Sequence, residues 1–321
     1  MKKFSALLCG VAFGAAAFVS AAGAQDYPSK QIHFIVPNAP GGPTDSAARI
    51  LAERLTATFG QSAIVENRPG GLGQIAFDYV ARAPADGYTI LLSTGSVALQ
   101  PVVNKDFPYD VAKTLTPAAI FAESPLVFGI TSALPVKTLP EFIAYAKANP
   151  GKLNYASQGA LDTFSNDLFK IMAGVDTVTI RYNGNGPAVA AVLANQSQYT
   201  LPTPAYVKAQ EAEGKMRGLA VTTAKRSALW PELPTMAEAG VPGYDINVWF
   251  IAMVHANTPR PILEKLHKAL MDGAKSPEAA PRLRALGTTQ TDYTIEEAKQ
   301  LLVRDLAMWA KIAKDTGFKP E

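Results

Sequence analysis

Short apolar runs alternate with amphipathic helical stretches along most of this chain. In its first part we predict strands at 31–36, 62–65 and 88–93, separated by helices at 44–59 and 73–82. Strands that alternate with helices of this length are the pattern of a parallel, doubly wound α/β sheet. The same alternation resumes after a loop region and continues to residue 222. The chain is therefore predicted to contain two α/β units in series.

The order of these units predicts two lobes with a cleft between them. We expect the first lobe to comprise residues 25–124 and a return segment, 246–321, and the second lobe to comprise 125–245. The return segment ends in a long amphipathic helix, at the start of which Thr294 and Glu297 have the spacing of a capping box. A single continuous sheet is the alternative that the alternation alone leaves open.

The first 24 residues have the features of a secretory signal peptide. A basic start, MKK, precedes an almost wholly apolar run at 6–19, and the small residues Ala22, Gly23 and Ala24 provide a cleavage site. The apolar run is too short to span a bilayer comfortably, which favours cleavage over a membrane anchor. We therefore expect export across the inner membrane to the periplasm.

The composition excludes several classes of partner. Without the signal peptide the chain loses Lys2 and Lys3 and keeps 28 basic and 27 acidic residues, a net charge of +1. This near-neutral balance, with no basic run, argues against nucleic acid as a partner. The only cysteine, Cys9, leaves with the signal peptide, so we expect a mature protein that has no disulfide and depends on its hydrophobic core.

Two glycine-containing loops stand where predicted strands meet predicted helices. VPNAPGGPTD begins at Val36 and leads into the first helix, and NRPGGLG begins at Asn67 and leads into the second. In a parallel sheet both loops emerge at the carboxyl edge, where ligands bind. Because the first amides of a helix have no partner inside it, such loops attract an anion without a lysine, and each charge-assisted hydrogen bond contributes about 1.5–3 kcal/mol. The two loops therefore predict a carboxylate site.

Other chemistry has little support in the sequence. There is no P-loop, GNGP is only a fragment of a dinucleotide fingerprint, and Ser157 lies in ASQG rather than in GxSxG. The histidines, His33, His255 and His267, lie far apart and lack metal-ligand spacing. We therefore expect no metal, no cofactor and no catalytic residue. An exported hydrolase that uses Ser157 or another loop hydroxyl on a small ester or amide is the alternative function, although the sequence identifies no base for it.

Ordered motifs along the whole mature chain resemble one family. They include YPSK, the loop motifs VPNAPGGPTD and VENRPGGLG, then APADGYTILL, FPYDVAKTLTP, PGKLNYAS and LAVTTAKRSALWPELPTMAEAGVPGY. This series is similar to the receptors of tripartite tricarboxylate transporters, the Bug family of periplasmic solute-binding proteins. The resemblance implies a two-lobed, periplasmic-binding-protein-like α/β fold with a doubly wound sheet in each lobe and a ligand cleft between the lobes. It also implies a monomeric receptor that captures a small organic carboxylate and delivers it to a membrane permease.

The resemblance also implies binding roles for particular residues. In the family, the two glycine loops grip one carboxylate of the ligand, partly through ordered waters, and further loops complete the cleft. The ligand-binding residues that this implies in the first lobe are Asn38, Ala39, Pro40, Gly41, Gly42, Thr44, Asn67, Pro69, Gly70, Gly71, Ser93 and Thr94. Those in the second lobe are Ser157, Gln158, Gly159, Phe164 and Thr203.

Three departures from the family pattern bear on the ligand. Phe164 stands where a histidine is usual, and its ring could stack on an aromatic or longer apolar carboxylate, with packing beneath its own helix as the alternative. Thr203 follows a strand after which the family often has an aspartate, and Asn38 replaces a common aromatic residue. The missing aspartate argues against an amino-acid ligand, and we expect a di- or tricarboxylate, with an aromatic one left open. A sensor that presents the ligand to a receptor kinase is a third interpretation.

Overall fold

The computed structural model describes residues 27–182 and 184–320, so the predicted signal peptide lies outside the described residues. The strands are β1 (Ile32–Val36), β2 (Ala63–Asn67), β3 (Thr89–Thr94), β4 (Leu115–Pro125), β5 (Val127–Thr131), β6 (Asn154–Ser157), β7 (Val178–Arg181), β8 (Tyr199–Thr200), β9 (Met216–Val221), β10 (Asn247–His255) and β11 (Thr289–Gln290). The helices are α1 (Pro43–Phe59), α2 (Gln74–Ala81), α3 (Gln100–Val103), α4 (Val111–Thr114), α5 (Leu139–Ala148), α6 (Ala160–Ala173), α7 (Asn185–Leu193), α8 (Pro204–Ala212), α9 (Arg260–Lys275), α10 (Ala280–Ala285) and α11 (Ile295–Thr316). Short 3₁₀ turns at Gly71–Gly73 and Gly95–Leu99 precede α2 and α3. In these two ranges no helix combines the length and the apolar character that a membrane span needs.

Two sheets each contain three parallel strands in the same arrangement. In the first sheet, of order β11–β4–β10–β3–β1–β2, β1 lies between β2 and β3 and pairs in parallel with both. In the second sheet, of order β7–β6–β8–β5–β9, β6 lies between β7 and β8 and pairs in parallel with both. The loops that follow the three strands therefore emerge together at one edge of each sheet. This architecture confirms the predicted two-lobed α/β fold.

The sheets are mixed rather than wholly parallel. β10 runs antiparallel to β3 and β4, and β5 runs antiparallel to β8 and β9. The antiparallel strands arise because the chain leaves the first sheet through β4, enters the second through β5 and returns to the first through β10. The prediction of parallel sheets is thus confirmed for the strands that carry the glycine loops and wrong for the strands that cross between the sheets.

The strand β4 lies in the region that the sequence pattern assigned to a loop. It has 11 residues and pairs with β10 along its whole length, with two shifts of register. Pro117 and Pro125 lie within it, and one of the shifts falls beside Pro117, where proline cannot donate a ladder hydrogen bond. Nearly all its residues are buried, so no polar–apolar alternation marks it as a strand. Its prolines and its burial together conceal it in the sequence.

The C-terminal helix α11 packs against both lobes. It begins at the predicted capping box, in which the N–H of Glu297 donates to Thr294 Oγ1 and the N–H of Thr294 donates to the Glu297 carboxylate. The indole N–H of Trp249 on β10 donates to Asp305 of α11 at 2.8 Å, which ties the helix to the first sheet. A hydrophobic contact between α11 and α6 ties it to the second sheet.

Candidate ligand-binding site

The carboxyl edges of the two parallel strand sets face one cavity of about 490 Å³. Residues that follow β1, β2 and β3 line it from the first sheet, and residues that follow β6, β7 and β8 line it from the second. Ser124, Leu126 and Val248, which lie where β4 and β10 cross between the sheets, also contribute to its wall. The cavity therefore lies between the lobes, as expected for a ligand cleft in this fold.

Five helices that follow the loops, α1, α2, α6, α7 and α8, begin at this cavity, as does the 3₁₀ turn at Gly95–Leu99 that leads into α3. Thr94 caps the 3₁₀ turn by accepting the N–H of Ser96, whereas in the described chain the N-cap residues of the five helices make no side-chain capping hydrogen bond. These N-cap residues are Gly42, Gly73, Gly159, Gly184 and Thr203. Away from the cavity, α5 and α11 have threonine caps, whereas α9 has none. Uncapped first-turn N–H groups and the partial positive charge of a helix N-terminus both favour an anion. Five such ends at one cavity give it an anion-binding character without a cationic side chain.

Asp45 organises the backbone of the first glycine loop. Its carboxylate accepts the N–H of Gly41 at 2.9 Å, two guanidinium hydrogen bonds from Arg49 at 3.0 and 3.1 Å, and Nδ2 of Asn67 at 2.9 Å. Burial raises the pKa of Asp45, but the hydrogen bonds from Arg49, Gly41 and Asn67 outweigh it and hold the pKa below its usual value. The expectation that the loop amides are unpaired is therefore wrong for Gly41, whose N–H is capped within the protein.

Asn67 joins the two glycine loops to each other. Besides its bond to Asp45, its Nδ2 donates to the main-chain oxygen of Asn38 at 3.0 Å, and its Oδ1 accepts from Arg49 at 3.3 Å. Its side-chain polar atoms are thus engaged within the protein. Asn67 therefore fixes the spacing of the two loops and does not line the cavity in the described structure, whereas Asn38 does.

The second glycine loop has a left-handed backbone. All four residues of 70–73 have positive φ, including Leu72 at 52°. At Gly73, where φ is 103°, a Cβ atom would lie 3.2 Å from Nε2 of Gln100 and 3.4 Å from Cβ of Pro37, so backbone and packing both require glycine. Nε2 of Gln100 donates to the main-chain oxygen of Leu72, which holds the loop in this shape.

Several amides of the two loops remain available to a ligand. In the described part of the chain we find no protein acceptor for the N–H groups of Thr44, Gly70 and Gly71. Thr44 and Gly70 line the cavity. A carboxylate placed between the loops would gain charge-assisted hydrogen bonds from groups that otherwise depend on water. The prediction of an anion site therefore rests on these amides, since the N–H of Gly41 is bonded to Asp45.

In the second lobe, Ser157 is not available to a ligand. It is 1% exposed, and its Oγ lies 2.5 Å from Oγ1 of Thr163, which in turn donates to the main-chain oxygen of Gly159 at 2.7 Å. Gln158 and Gly159 do line the cavity, and Nε2 of Gln158 donates to Oγ1 of Thr200 at 3.1 Å. Ser157 thus has a structural role, and the next two residues face the cleft.

Asp162 is a cavity residue that the sequence analysis missed. It is 7% exposed, and its Oδ2 accepts the hydroxyl of Tyr155 at 2.8 Å and the N–H of Gln158 at 2.7 Å. Burial raises the pKa of Asp162 to about 6, against the opposing effect of the amide and hydroxyl donors. Among the described residues that line the cavity, it is the only one with an ionisable side chain. A single acid in the first turn of a helix gives no distinctive sequence signal, since such residues commonly serve the helix dipole.

The predicted site residues divide into two groups. Those that line the cavity are Asn38, Thr44, Gly70, Ser93, Thr94, Gln158, Gly159 and Thr203. Those that are absent from its described lining are Ala39, Pro40, Gly41, Gly42, Asn67, Pro69, Gly71, Ser157 and Phe164. All of the second group except Phe164 lie in the same loops as the first or, like Asn67 and Ser157, at the end of the strand before such a loop. Contact with a ligand stays a prediction for the first group.

The proposed stacking role of Phe164 is wrong. Its side chain is 1% exposed and lies in the hydrophobic core. Its ring centroid is 6.1 Å from that of Trp309 and 4.8 Å from that of Phe318, both in the C-terminal segment. Phe164 is the fifth residue of α6, and its side chain packs toward α11 and away from the cavity, so it gives no support to an aromatic ligand.

The rival hydrolase lacks a catalytic constellation in the described structure. The ring nitrogen Nδ1 of His33 pairs with Glu66, that of His267 with a main-chain oxygen, and that of His255 with the N–H of Asn257. None of these histidines lines the cavity. The described residues also contain no cluster of three or more His, Cys, Asp or Glu side chains that could hold a metal ion. Ser157 therefore has no base beside it.

Comparison with known proteins agrees with this geometry. The sequence profile of a family described as the tripartite tricarboxylate transporter family receptor matches residues 47–318. BugT of Bordetella pertussis (strain Tohama I) is 32% identical over 314 residues, which cover 97% of this chain and 96% of BugT.

Two solved structures with named ligands are similar in sequence and in fold. R. palustris Rpa4515 with adipate is 34% identical with a TM-score of 0.78, covering 92% of this chain and 100% of that one. MatC (Rpa3494) from Rhodopseudomonas palustris with bound malate is 28% identical with a TM-score of 0.73, covering 89% of this chain and 99% of that one. The family is one of solute-binding receptors and not of enzymes. This chain belongs to the tripartite tricarboxylate transporter receptor family.

Proposed function

We propose that this protein is a periplasmic receptor that captures a small organic carboxylate and delivers it to the membrane permease of a tripartite tricarboxylate transporter. The observation that carries the proposal is the convergence of five uncapped helix N-termini on one interlobe cavity whose described lining contains no Lys, Arg or His. Such a cavity binds a negative group through main-chain amides. Adipate and malate, bound in two similar proteins, are both carboxylates.

The ligand carboxylate lies against the first lobe in this proposal. The free amides of Thr44 and Gly70 provide the seat, and Asn67 and Asp45 keep the two loops at a fixed separation. Gln158, Gly159 and the N-termini of α6, α7 and α8 meet the ligand from the other side. Capture then requires the lobes to approach each other, because the groups that bind the ligand belong to both.

We assign residues 25–124 and 246–321 to one moving body and residues 125–245 to the other. The chain crosses between the sheets at Leu126, whose N–H donates to Oγ1 of Thr222 at 2.9 Å, and at Ile246, whose N–H donates to the Thr222 main-chain oxygen at 2.9 Å. Both crossings thus meet at one residue, which makes Thr222 the centre of the hinge. Hinges of a few residues are typical of binding proteins that close around a ligand.

The route to the periplasm and the state of the receptor complete the proposal. Residues 1–24 act as a cleavable signal peptide, and the mature protein works as a monomer that docks on the permease. These assignments rest on the basic and apolar pattern of the leader and on the family to which the chain belongs. Mass spectrometry of the exported protein checks the cleavage site, which we place after Ala24.

Calorimetric titration of the mature protein tests the function. Matched pairs of a carboxylate and its primary amide, such as hexanoate with hexanamide, malate with malamide and adipate with adipamide, separate the contribution of the charge. We expect at least one carboxylate to bind in the micromolar range, about −8 kcal/mol, and its amide to bind far more weakly. Failure of every mono-, di- and tricarboxylate to bind, or equal binding of the amides, would show that the cavity is not an anion site.

A further inference from the structure

Asp162 and Asp45 occupy equivalent positions in the two lobes. Asp45 is the third residue of α1, the helix after β1, and Asp162 is the third residue of α6, the helix after β6. Each carboxylate accepts the N–H of the residue four positions earlier, Gly41 at 2.9 Å and Gln158 at 2.7 Å. In each lobe, a hydrogen bond from a loop N–H to a first-turn aspartate thus fixes the shape of the first loop at the cavity.

The two aspartates differ in what balances their charge. Arg49 donates two guanidinium hydrogen bonds to Asp45, and Asn67 donates a third. Asp162 receives only neutral donors, the Tyr155 hydroxyl and main-chain amides, and no cationic side chain in the described chain forms an ion pair with it. A further difference is location, since Asp162 lines the cavity and Asp45 does not. The cleft therefore carries, on the second-lobe side, one acidic side chain that is balanced only by neutral donors.

Among the described residues, we find no ion pair between Asp162 and the elements that pack against α6. From β6, the titratable side chain in contact with Asp162 is Tyr155. The 3₁₀ turn at Gly95–Leu99 has no titratable side chain, and α11 meets α6 through the rings of Trp309 and Phe164. The hydroxyl of Tyr155 and the N–H of Gln158 both donate to Oδ2 of Asp162.

We propose that Asp162 determines charge selectivity in this cleft, by favouring ligands that present a neutral hydrogen-bond donor to the second lobe and disfavouring those that present a second ionised carboxylate. This inference rests on the proposed function, in which the first lobe holds one carboxylate. A hydroxyl group directed at Asp162 gains a charge-assisted hydrogen bond, whereas a carboxylate there meets a like charge with no cation between them. The preferred substrate class is therefore a hydroxy-monocarboxylate, and a dicarboxylate binds only together with a proton.

Ligands that differ only at their far end test the proposal. We would titrate 4-hydroxybutanoate against succinate and 6-hydroxyhexanoate against adipate at pH 7.5. We expect the hydroxy acid of at least one pair to bind ~10-fold or more tightly than its diacid, which corresponds to about 1.4 kcal/mol. Asp162→Asn removes the charge and should abolish most of this difference in affinity between the hydroxy acid and the diacid. Asp167→Asn removes a charge from the same helix at a residue that is absent from the described lining, and should leave the difference unchanged.

A second measurement needs no variant. Adipate is titrated into the unmodified protein in two buffers of different ionisation enthalpy. The difference between the two observed heats gives the number of protons that the complex takes up on binding. We expect uptake to approach one proton per adipate at pH 7.5 and to be near zero for 6-hydroxyhexanoate, because the second carboxylate raises the affinity of Asp162 for its proton.

The outcomes separate this inference from the function on which it rests. If diacids bind as tightly as the hydroxy acids, without proton uptake and without a change in Asp162→Asn, the selectivity proposal is wrong and the receptor function stands. If no carboxylate of either kind binds, the receptor function is wrong and the selectivity proposal falls with it.

Discussion

Replacement of Gly73 by alanine should weaken ligand binding more than it weakens the fold. Gly73 is the N-cap of α2 and has φ of 103°. The added Cβ would approach Nε2 of Gln100 to 3.2 Å and Cβ of Pro37 to 3.4 Å. Gln100 holds the carbonyl of Leu72, and Pro37 leads into the first glycine loop, so relief of this crowding shifts both loops.

The expected magnitudes follow from the two consequences of the substitution. The left-handed backbone costs an alanine about 1–2 kcal/mol of folding free energy. Displacement of the loops removes at least one charge-assisted hydrogen bond to the ligand, which contributes about 1.5–3 kcal/mol. The dissociation constant should therefore rise by roughly 10- to 100-fold.

Gly60→Ala is the matched control for this variant. Gly60 also has a left-handed backbone, with φ of 67°, but no atom lies within 4 Å of the Cβ position, and it ends α1 at the opposite end from the cavity. Both variants should lose about 1–2 kcal/mol of stability in urea unfolding from the backbone strain. Only Gly73→Ala should lose affinity in calorimetry. Wild-type affinity in a folded Gly73→Ala protein would refute the role of the loop amides.

Three further predictions concern side chains around the cleft. Phe164→Ala should cost about 3–5 kcal/mol in urea unfolding, because the ring is fully buried against Trp309, and should leave the dissociation constant within about threefold. Since hydrogen bonds lower the pKa of Asp45, its stabilisation is present at neutral pH and is lost as the pH falls through that lowered pKa. Asp45→Asn should therefore melt below the wild type at pH 7 by a margin that shrinks toward pH 3. Asp162 has the opposite sign, because burial raises its pKa to about 6 in the folded protein. The stability that its protonated form contributes is lost as the pH rises from the ordinary pKa of 3.8 through about 6, so the melting temperature of Asp162→Asn should rise relative to that of the wild type between about pH 4 and pH 7. Parallel pH dependence of the two variants would contradict the assigned environments.

The parts of the fold that the sequence predicts are those with local signals. Each strand that carries a ligand-facing loop is short and apolar, and a helix with its own periodicity follows it. The glycine loops were predictable because a left-handed backbone, as at 70–73, leaves a direct trace in composition. By contrast, β4 was missed because its burial removes the alternation and its prolines resemble loop residues.

The parts of the site that were not predictable depend on distant packing. Phe164 faces α11 rather than the cavity, and α11 lies about 140 residues later in the chain, so no local pattern settles its direction. The environment of Asp45 likewise depends on Asn67, which reaches it from the other glycine loop. Local sequence therefore predicts where the cleft is, and tertiary contacts decide which side chains face it.

A crystal structure of the mature protein with its tightest-binding carboxylate tests the central claim most directly. The account predicts carboxylate oxygens within about 2.7–3.1 Å of the main-chain nitrogens of Thr44, Gly70 and Gly71, or joined to them through one ordered water. It also predicts that no lysine, arginine or histidine contacts the ligand. A carboxylate held by a cationic side chain, or bound outside the cavity between the two sheets, would contradict it.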